Sequence, residues 1–167
     1  MNDTQAQAFF KALLDQDTTL GASRYIAQHL ARVKLHNLKG IDALEANIES
    51  LAQVFITQAR AVGFNIAIGE TYRSAENQEI LYAQGRTMPG AIVTNARGLQ
   101  SYHQYGLAFD IYFVDAPHFP ADDLAWRQLA GMATKIGLTP GYDFGDKPHF
   151  EYHPGFTWHD LIEHFTI

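Results

Sequence analysis

Hydrophobic positions along the chain follow two different periods. In the first part, apolar residues recur every three or four positions, which is the spacing of an amphipathic helix. This spacing predicts helices over residues 4–14, 22–33 and 41–62, and a last one over residues 158–165. Elsewhere, apolar and polar residues alternate, which is the pattern of a half-buried strand. The alternation predicts strands over residues 65–69, 107–114 and 149–152.

Residues that favour helix starts mark two more helices. Ser74 and Asp122 are candidate N-caps, because a short polar side chain can accept the first free backbone N–H groups of a helix. The helices that they begin are predicted to run to about Tyr82 and Ile136. Residues 84–100 are rich in turn formers and are expected to be mostly loop. Helices first and scattered short strands later favour an α+β fold with a small antiparallel sheet.

The composition is that of a soluble globular domain. The chain has 167 residues, of which 47% are apolar and 18% charged, and it is long enough to bury a core. It has no cysteine, which excludes disulfides, thiolate metal sites and a cysteine nucleophile. A metal site would therefore need His, Asp or Glu ligands, and the chain has eight histidines.

The charge is unevenly spread. Residues 101–167 hold three Lys/Arg against nine Asp/Glu, which accounts for the net charge of −6. Without a basic stripe, a nucleic-acid partner is not expected. No segment approaches the roughly 20 apolar residues of a membrane span. The N-terminus lacks the pattern of a signal peptide, so the product is expected to be soluble and to begin in the cytoplasm.

Residues 101–112, SYHQYGLAFDIY, place His103 and Asp110 seven residues apart around Gly106. On a straight strand these residues would lie roughly 23 Å apart and on opposite faces. On a helix they would lie about 10 Å apart, too far to share one small ion. If they cooperate, the chain must fold back between them, and Gly106 is where it could do so.

A third candidate ligand lies in residues 144–152, FGDKPHFEY. Strand alternation places His149 and Glu151 on one face, while Asp146 precedes the strand. His103, Asp110 and His149 together offer the three N and O ligands that a catalytic zinc requires, with a fourth position left for water. Asp146 could act beside that water as general base. By residue type alone, a capping pair or a hydrogen-bonded core histidine remains an alternative.

Three blocks of sequence resemble one family. SYHQYGLAFDI is similar to the S-x-H-x-x-G-x-A-x-D signature of the D-alanyl-D-alanine and L-alanyl-D-glutamate zinc metallopeptidases. FGDKPHFEY resembles the second signature of the branch that includes phage endolysins. Residues 70–74, ETYRS, running into Gln78 and LYAQGRT, are similar to a third block of that branch. The blocks occur in the family order and cover about residues 41–155.

The resemblance implies one zinc ion on His103, Asp110 and His149, with Asp146 as the general base. It places Arg73 on an arginine that holds a substrate carboxylate or carbonyl and stabilises the oxyanion. It places Ser101 at a substrate contact, although a turn-capping hydroxyl is an equal alternative. The fold implied is that of the Hedgehog domain and DD-peptidases: an antiparallel sheet that carries the zinc site and is packed by helices.

Two parts of the chain depart from the resemblance. The branch often has a tryptophan shortly before its second block, where this chain has Tyr142. The resemblance therefore does not determine which residue forms that wall of the pocket. Residues 1–40 fall outside the resemblance and are predicted to form an N-terminal helical extension, which packs on the core or docks on a protein partner. Residues 41–167 are predicted to be the catalytic domain.

Several other polar residues are given structural roles. Glu151 is expected to hydrogen-bond a ligand or to lie on the surface, rather than to bind the metal. His153 is expected at the rim of the pocket, with a substitute metal ligand as the alternative, and His118 is assigned to packing or surface. Gln78 and Arg86 are expected to brace the loop that presents Arg73.

The predicted function is zinc-dependent cleavage of peptidoglycan stem peptides, most simply by an L-alanyl-D-glutamate endopeptidase of endolysin type. Such an enzyme would reach the cell wall after release or injection. Two alternatives stay open: a D-Ala-D-Ala carboxypeptidase or dipeptidase with the same chemistry, and a non-catalytic module that keeps the fold and metal for binding.

Overall fold

The computed structural model describes residues 40–153, 155 and 157–163. The helices predicted over residues 4–14 and 22–33 lie outside the described residues, and the division at residue 40 stays a prediction. The described residues form α1 (Ala46–Ala61), β1 (Ile66–Ile68), α2 (Ala75–Ala83), β2 (Ala108–Phe113), α3 (Asp123–Lys135), β3 (Thr139–Pro140), β4 (His149–Glu151) and α4 (Trp158–Glu163). They belong to two compact units: residues 40–72 with 106–153, and residues 73–105 with 155 and 157–163.

The first unit contains the sheet. Its four strands are antiparallel and lie in the order β1-β2-β4-β3. The predicted alternation of β2 is present, because Phe109 and Ile111 are buried on one face while Asp110 and Tyr112 are only partly covered. In the β2–β4 register, Asp110 lies opposite His149. Strand pairing thus brings together two residues that are 39 positions apart in sequence.

Helices α1 and α3 complete the core of this unit. Their apolar residues belong to the same buried cluster as those of β2 and β4. At its centre, the ring of Phe150 lies 4.7 Å from that of Phe55 and 5.7 Å from that of Phe109. Aromatic pairs at these distances contribute about 0.5–1.5 kcal/mol beyond their buried area. The strand that carries His149 is therefore held firmly against the helices.

The helix predicted over residues 41–62 is divided in the structure. A 3-10 turn, Gly40–Ala43, comes first, and α1 begins only after Glu45. The carboxylate of Glu45 accepts the N–H of Asn47 at 2.9 Å, while its own N–H donates to the carbonyl of Gly106 at 3.0 Å. Glu45 thus acts as an N-cap, and its bond to a distant residue starts the helix there.

The second unit contains α2 and the loop over residues 84–100. Ser74 caps α2 as predicted, with its Oγ accepting the N–H of Asn77 at 3.2 Å. Two guanidinium groups lie over the Tyr82 ring, that of Arg86 at 4.0 Å and that of Arg97 at 5.0 Å from the ring centre. Arg86 also donates to the carbonyls of Tyr82 and Thr94. These contacts fasten a loop of turn-forming residues to the helix.

Among the described residues, no helix is both long and apolar enough to cross a bilayer.

Candidate metal centre

A turn lies between His103 and Asp110, at the position where the sequence allows the chain to fold back. His103 lies in a 3-10 turn, Tyr102–Tyr105, and its side chain is buried. Gly106 follows with a φ of +67°, a left-handed conformation that glycine adopts without steric cost. Strand β2 begins two residues later. The turn removes the separation that a straight strand or helix would impose.

Asp110 is fixed by hydrogen bonds of its backbone on one side and by β4 on the other. Its N–H donates to the carbonyl of Glu70, and its carbonyl accepts the N–H of Gly69, both at 2.8 Å. Across the sheet, Oδ1 of Asp110 lies 3.2 Å from Nδ1 of His149. The carboxylate and the imidazole are therefore presented side by side.

The structure brings the three predicted ligands together. One ligand atom from each of His103, Asp110 and His149 lies within 4.8 Å of the other two. Two ligands bound to one zinc at 2.0–2.2 Å with tetrahedral angles lie roughly 3.3 Å apart, close to the separation of the Asp110 and His149 atoms. Two imidazole nitrogens and one carboxylate oxygen also match the ligand chemistry of a catalytic zinc. The residues thus fit the metal that the family signature implies.

A second carboxylate lies behind His149. Nε2 of His149 is 2.9 Å from Oε2 of Glu151, and Nε2 of His153 is 2.6 Å from Oε1 of the same carboxylate. Glu151 therefore makes the hydrogen bond that the sequence suggests as one alternative. The link to His153 was missed, because His153 lies beyond the end of β4, where alternation no longer predicts direction.

The electrostatics of this cluster favour positive charge. Burial lowers the pKa of His149, but hydrogen bonds to Asp110 and Glu151 and the charges of these carboxylates outweigh it and raise the pKa to about 9. Burial also disfavours the charged form of Glu151, which by itself would raise its pKa. The hydrogen bonds from His149 and His153 outweigh this effect and hold the pKa below its ordinary value. A field that retains a proton on a buried imidazole also attracts a metal cation.

Arg73 and Ser101 are both attached to the turn that carries His103. The backbone N–H of Arg73 donates to the carbonyl of His103 at 3.2 Å. One guanidinium nitrogen of Arg73 donates to Oε1 of Gln78 at 2.7 Å, which agrees with the bracing role predicted for Gln78. Oγ of Ser101 accepts the N–H of His103 at 3.3 Å, which is the turn-capping alternative. The assignment of both residues to substrate stays a prediction.

Asp146 lies on an exposed turn directly before β4. Its N–H donates to the carbonyl of Gly141 at 2.9 Å, and its carbonyl accepts the N–H of His149 at 3.1 Å. Gly141 is buried against this turn: a Cβ there would overlap the Asp146 carbonyl oxygen and lie 2.8 Å from Cβ of His149. The turn therefore depends on glycine at position 141.

Tyr142, which stands where the family often has tryptophan, is fastened to α3. Its hydroxyl donates to Oδ2 of Asp123 at 2.8 Å, and its ring packs against the core. Asp123 also accepts from Arg127 and Lys147, each at 3.0 Å. Tyr142 is thus held by polar contacts that the sequence did not predict.

A concave pocket of about 300 Å³ borders Asp110. It is lined by Gly69, Glu70, Asp110, Ile111, Tyr112, His118 and Phe119. Nδ1 of His118 lies 2.8 Å from the carbonyl of Phe113, and its ring meets that of Tyr112 edge to face at 5.9 Å. His118 was assigned to packing or surface, since nothing in its local sequence shows that it lines a pocket beside a candidate ligand.

Comparison with known proteins identifies the family. Residues 42–160 match the VanY family of D-alanyl-D-alanine carboxypeptidases. The chain belongs to this family. The match covers most of the chain and confirms both the family that the motifs predict and its assignment to the peptidases.

A curated relative is the peptidoglycan L-alanyl-D-glutamate endopeptidase CwlK of Bacillus subtilis (strain 168). It is 37% identical over an alignment of 105 residues, and the alignment covers 55% of this chain and 63% of the relative. The chain therefore spans less than two thirds of the length of CwlK.

Two solved structures share the fold. One is a variant of the vancomycin resistance D,D-pentapeptidase VanY from a VanB-type resistance cassette, in complex with Zn(II), with a TM-score of 0.51 and 21% identity over 71% of this chain and 83% of that one. The other is the L-Ala D-Glu endopeptidase ChiX of Serratia marcescens, with a TM-score of 0.51 and 16% identity over 66% and 80%. Both confirm the predicted α+β fold with its antiparallel sheet.

Proposed function

We propose that this VanY-family protein is a zinc-dependent peptidase that cleaves the stem peptides of peptidoglycan, at the L-alanyl-D-glutamate bond. The observation that carries the proposal is the convergence of His103, Asp110 and His149 on one point. The choice of bond is supported by the 37% identity to CwlK.

The chain's own residues divide the work of hydrolysis. A zinc ion held by the two imidazoles and the carboxylate would polarise the scissile carbonyl and lower the pKa of a water molecule. The Asp146 carboxylate accepts the proton of the attacking water and returns it to the departing amine. Glu151 keeps the His149 ring oriented through its bond to Nε2. Arg73 donates hydrogen bonds to a substrate carboxylate or to the carbonyl oxygen as charge develops there.

The pocket beside Asp110 supports a peptide substrate. Its rings, Tyr112, His118 and Phe119, offer apolar contact, while Glu70 adds a carboxylate that can accept from an amide or amine. A stem peptide presents both kinds of group. We assign this pocket to the part of the peptide next to the scissile bond.

The second candidate function is removal of a terminal D-alanine by the same residues. It is favoured by the matching family, whose description is D-alanyl-D-alanine carboxypeptidase. A non-catalytic binding module is the third possibility, and Asp146 and Arg73 argue against it because a protein that only binds needs neither a base nor an oxyanion donor.

Delivery to the wall belongs to the same proposal. The protein is made in the cytoplasm and acts on the cell wall after release or injection, as an endolysin does. Residues 1–40 are assigned to packing on the catalytic domain or to a protein partner.

The deciding experiment is digestion of purified peptidoglycan by the zinc-loaded protein, with and without a chelator, followed by mass spectrometry of the fragments. An endopeptidase releases glycan strands whose lactyl group carries only L-alanine. A carboxypeptidase shortens stems by one D-alanine. Fragment patterns that are identical with and without the chelator would reject the zinc-dependent reaction.

A further inference from the structure

Two glutamine side chains are buried in the unit that contains Arg73. Gln78 on α2 has no exposed surface, and Gln104 in the 3-10 turn is 1% exposed. A buried primary amide is costly unless its donors and acceptor are all used. Both buried amides therefore need hydrogen-bond partners.

The hydrogen-bond partners of Gln78 determine the orientation of its amide. Its Nε2 donates to the carbonyl of Ala96 at 2.8 Å and to Oγ1 of Thr94 at 3.2 Å. A carbonyl can only accept, so this end is the nitrogen. Its Oε1 then accepts from Arg73 at 2.7 Å and from Nε2 of Gln104 at 3.3 Å. Every site on the Gln78 amide is occupied.

The orientation of the Gln104 amide also follows from its hydrogen-bond partners. Its Oε1 accepts the backbone N–H of Ser101 at 3.0 Å, and a backbone N–H can only donate. Its Nε2 is therefore the end that reaches Gln78. Gln104 and Arg73 thus both donate to Oε1 of Gln78, and the Gln104 amide joins this shared oxygen to the Ser101 N–H.

We infer that Gln104 is a positioning residue, which fixes the direction of the Arg73 guanidinium through Gln78 and joins it to the Ser101 turn. The inference rests on the proposed function, in which Arg73 binds substrate. It deepens that proposal by assigning a role to a residue for which the family signature has only an unspecified position.

The side-chain carbonyl oxygen of Gln78 has two lone pairs that can accept hydrogen bonds. Gln104 occupies one of them, so Arg73 can use only the other, and its planar group takes one direction. The Gln104–Gln78 bond is buried, where a hydrogen bond is electrostatically stronger than in water. Without Gln104, the Gln78 oxygen accepts from Arg73 over a wider range of angles, and the guanidinium is less ordered.

The inference is tested by a double-mutant cycle on the full, zinc-loaded chain. Gln104→Met keeps the length of the side chain and removes its bonds, and we expect kcat/KM on muropeptides to fall about tenfold, because small misplacements of a substrate-binding group are costly. In an Arg73→Lys background, which has no fork to orient, the same change should alter kcat/KM less than about twofold. Equal losses in both backgrounds would overturn the inference.

Tyr105→Phe is the matched control. Tyr105 lies in the same turn, is buried, and donates to the carbonyl of Leu99 at 2.8 Å. Loss of this hydrogen bond should lower the melting temperature. Any effect on kcat/KM should be the same in the wild-type and Arg73→Lys backgrounds. A dependence as large as that of Gln104 would show that any change in this turn acts on Arg73, and would refute a specific role.

The effect of Arg73 on Gln104 can be measured without hydrolysis and without a Gln104 variant. With ¹⁵N-labelled glutamine, Arg73→Lys should shift the side-chain amide resonances of Gln104, whereas Arg60→Lys should leave them unchanged. Unmoved Gln104 resonances in Arg73→Lys would overturn the inference. If the wild-type protein leaves peptidoglycan intact, the proposed function fails, and these spectra alone decide whether the Gln78 amide connects the two residues.

Discussion

Nε2 of His149 lies 2.9 Å from Oε2 of Glu151, while Nδ1 of the same ring lies 3.2 Å from Oδ1 of Asp110. The imidazole is thus held between two carboxylates with different tasks. Asp110 is a candidate ligand on the metal side, and Glu151 supports the ring from behind. Such a carboxylate behind a histidine ligand fixes the orientation of the ring and raises its basicity.

Removing the charge behind His149 should weaken metal binding. Glu151→Gln keeps the size of the side chain but loses the negative charge, so we expect the affinity for zinc to fall about 10–100-fold. Competition against a zinc-sensitive dye measures this. His153→Gln is the control, since it removes the other partner of Glu151 and should change the affinity much less. Equal effects of the two variants would contradict the role given to Glu151.

Loss of the base should separate binding from catalysis. Asp146→Asn keeps the turn before β4, since the carbonyl of residue 146 still accepts from His149. We expect the variant to retain about one zinc per chain and to lose hydrolysis by about 10²–10⁴-fold. Metal content and muropeptide release, measured on the same preparation, test both statements. Hydrolysis near the wild-type rate would remove Asp146 from the mechanism.

Metal removal should lower the stability of the fold. Binding to the native state alone stabilises it by about 4 kcal/mol when free metal is 1,000 times the dissociation constant. We therefore expect a chelator to lower the melting temperature of the wild-type protein. His149→Ala, which loses a ligand, should melt at the same temperature with and without the chelator. A wild-type melting curve that the chelator leaves in place would count against a resident metal.

Gly141 and Gly131 offer a matched pair of Gly→Ala variants. At Gly141, the new methyl group meets the Asp146 carbonyl and Cβ of His149, so we expect a loss of about 1–3 kcal/mol in unfolding free energy and weaker zinc binding. At Gly131, on α3, the new methyl group meets nothing within 4 Å. Alanine should stabilise that helix by about 0.5–1 kcal/mol. Chemical denaturation of both variants gives the signs.

Acid should remove the contribution of Asp123. The hydrogen bond from Tyr142, followed by that from Lys147, holds the pKa of this carboxyl below its ordinary value of 3.8. A lowered pKa means that the carboxylate stabilises the fold above about pH 4 and stops doing so as the pH falls through the native pKa. The difference in melting temperature between wild type and Asp123→Asn should therefore be present at pH 6 and diminish as the pH falls below about 4. Tyr142→Phe should reduce it. A difference that is constant with pH would refute this origin.

The sequence predicts an element best where a local pattern of side chains has a single structural cause. Strand β2 was predicted within one residue at each end, because burial of one face imposes alternation on the sequence. The N-caps Ser74 and Asp122 were predicted because capping is a local bond between neighbours. The start of α1 was missed, since Glu45 begins the helix through a bond to Gly106.

The candidate site shows the same limit. The motifs predict which residues approach one point, and alternation predicts that Glu151 shares a face with His149. Pairing of Asp110 with His149 depends on the register of β2 and β4, which no local signal contains. The Gln78–Gln104 bond joins α2 to a distant turn and could not be predicted from either segment.

Strand β3 ends the described sheet on one side, and it consists of only two residues, of which the second is Pro140. Proline has no N–H with which to pair a further strand, so this border cannot continue the ladder in register. Pairing of a second copy of the protein along this border is therefore disfavoured. An edge that is this short and carries a proline thus disfavours ordered aggregation of the folded protein along this border of the sheet.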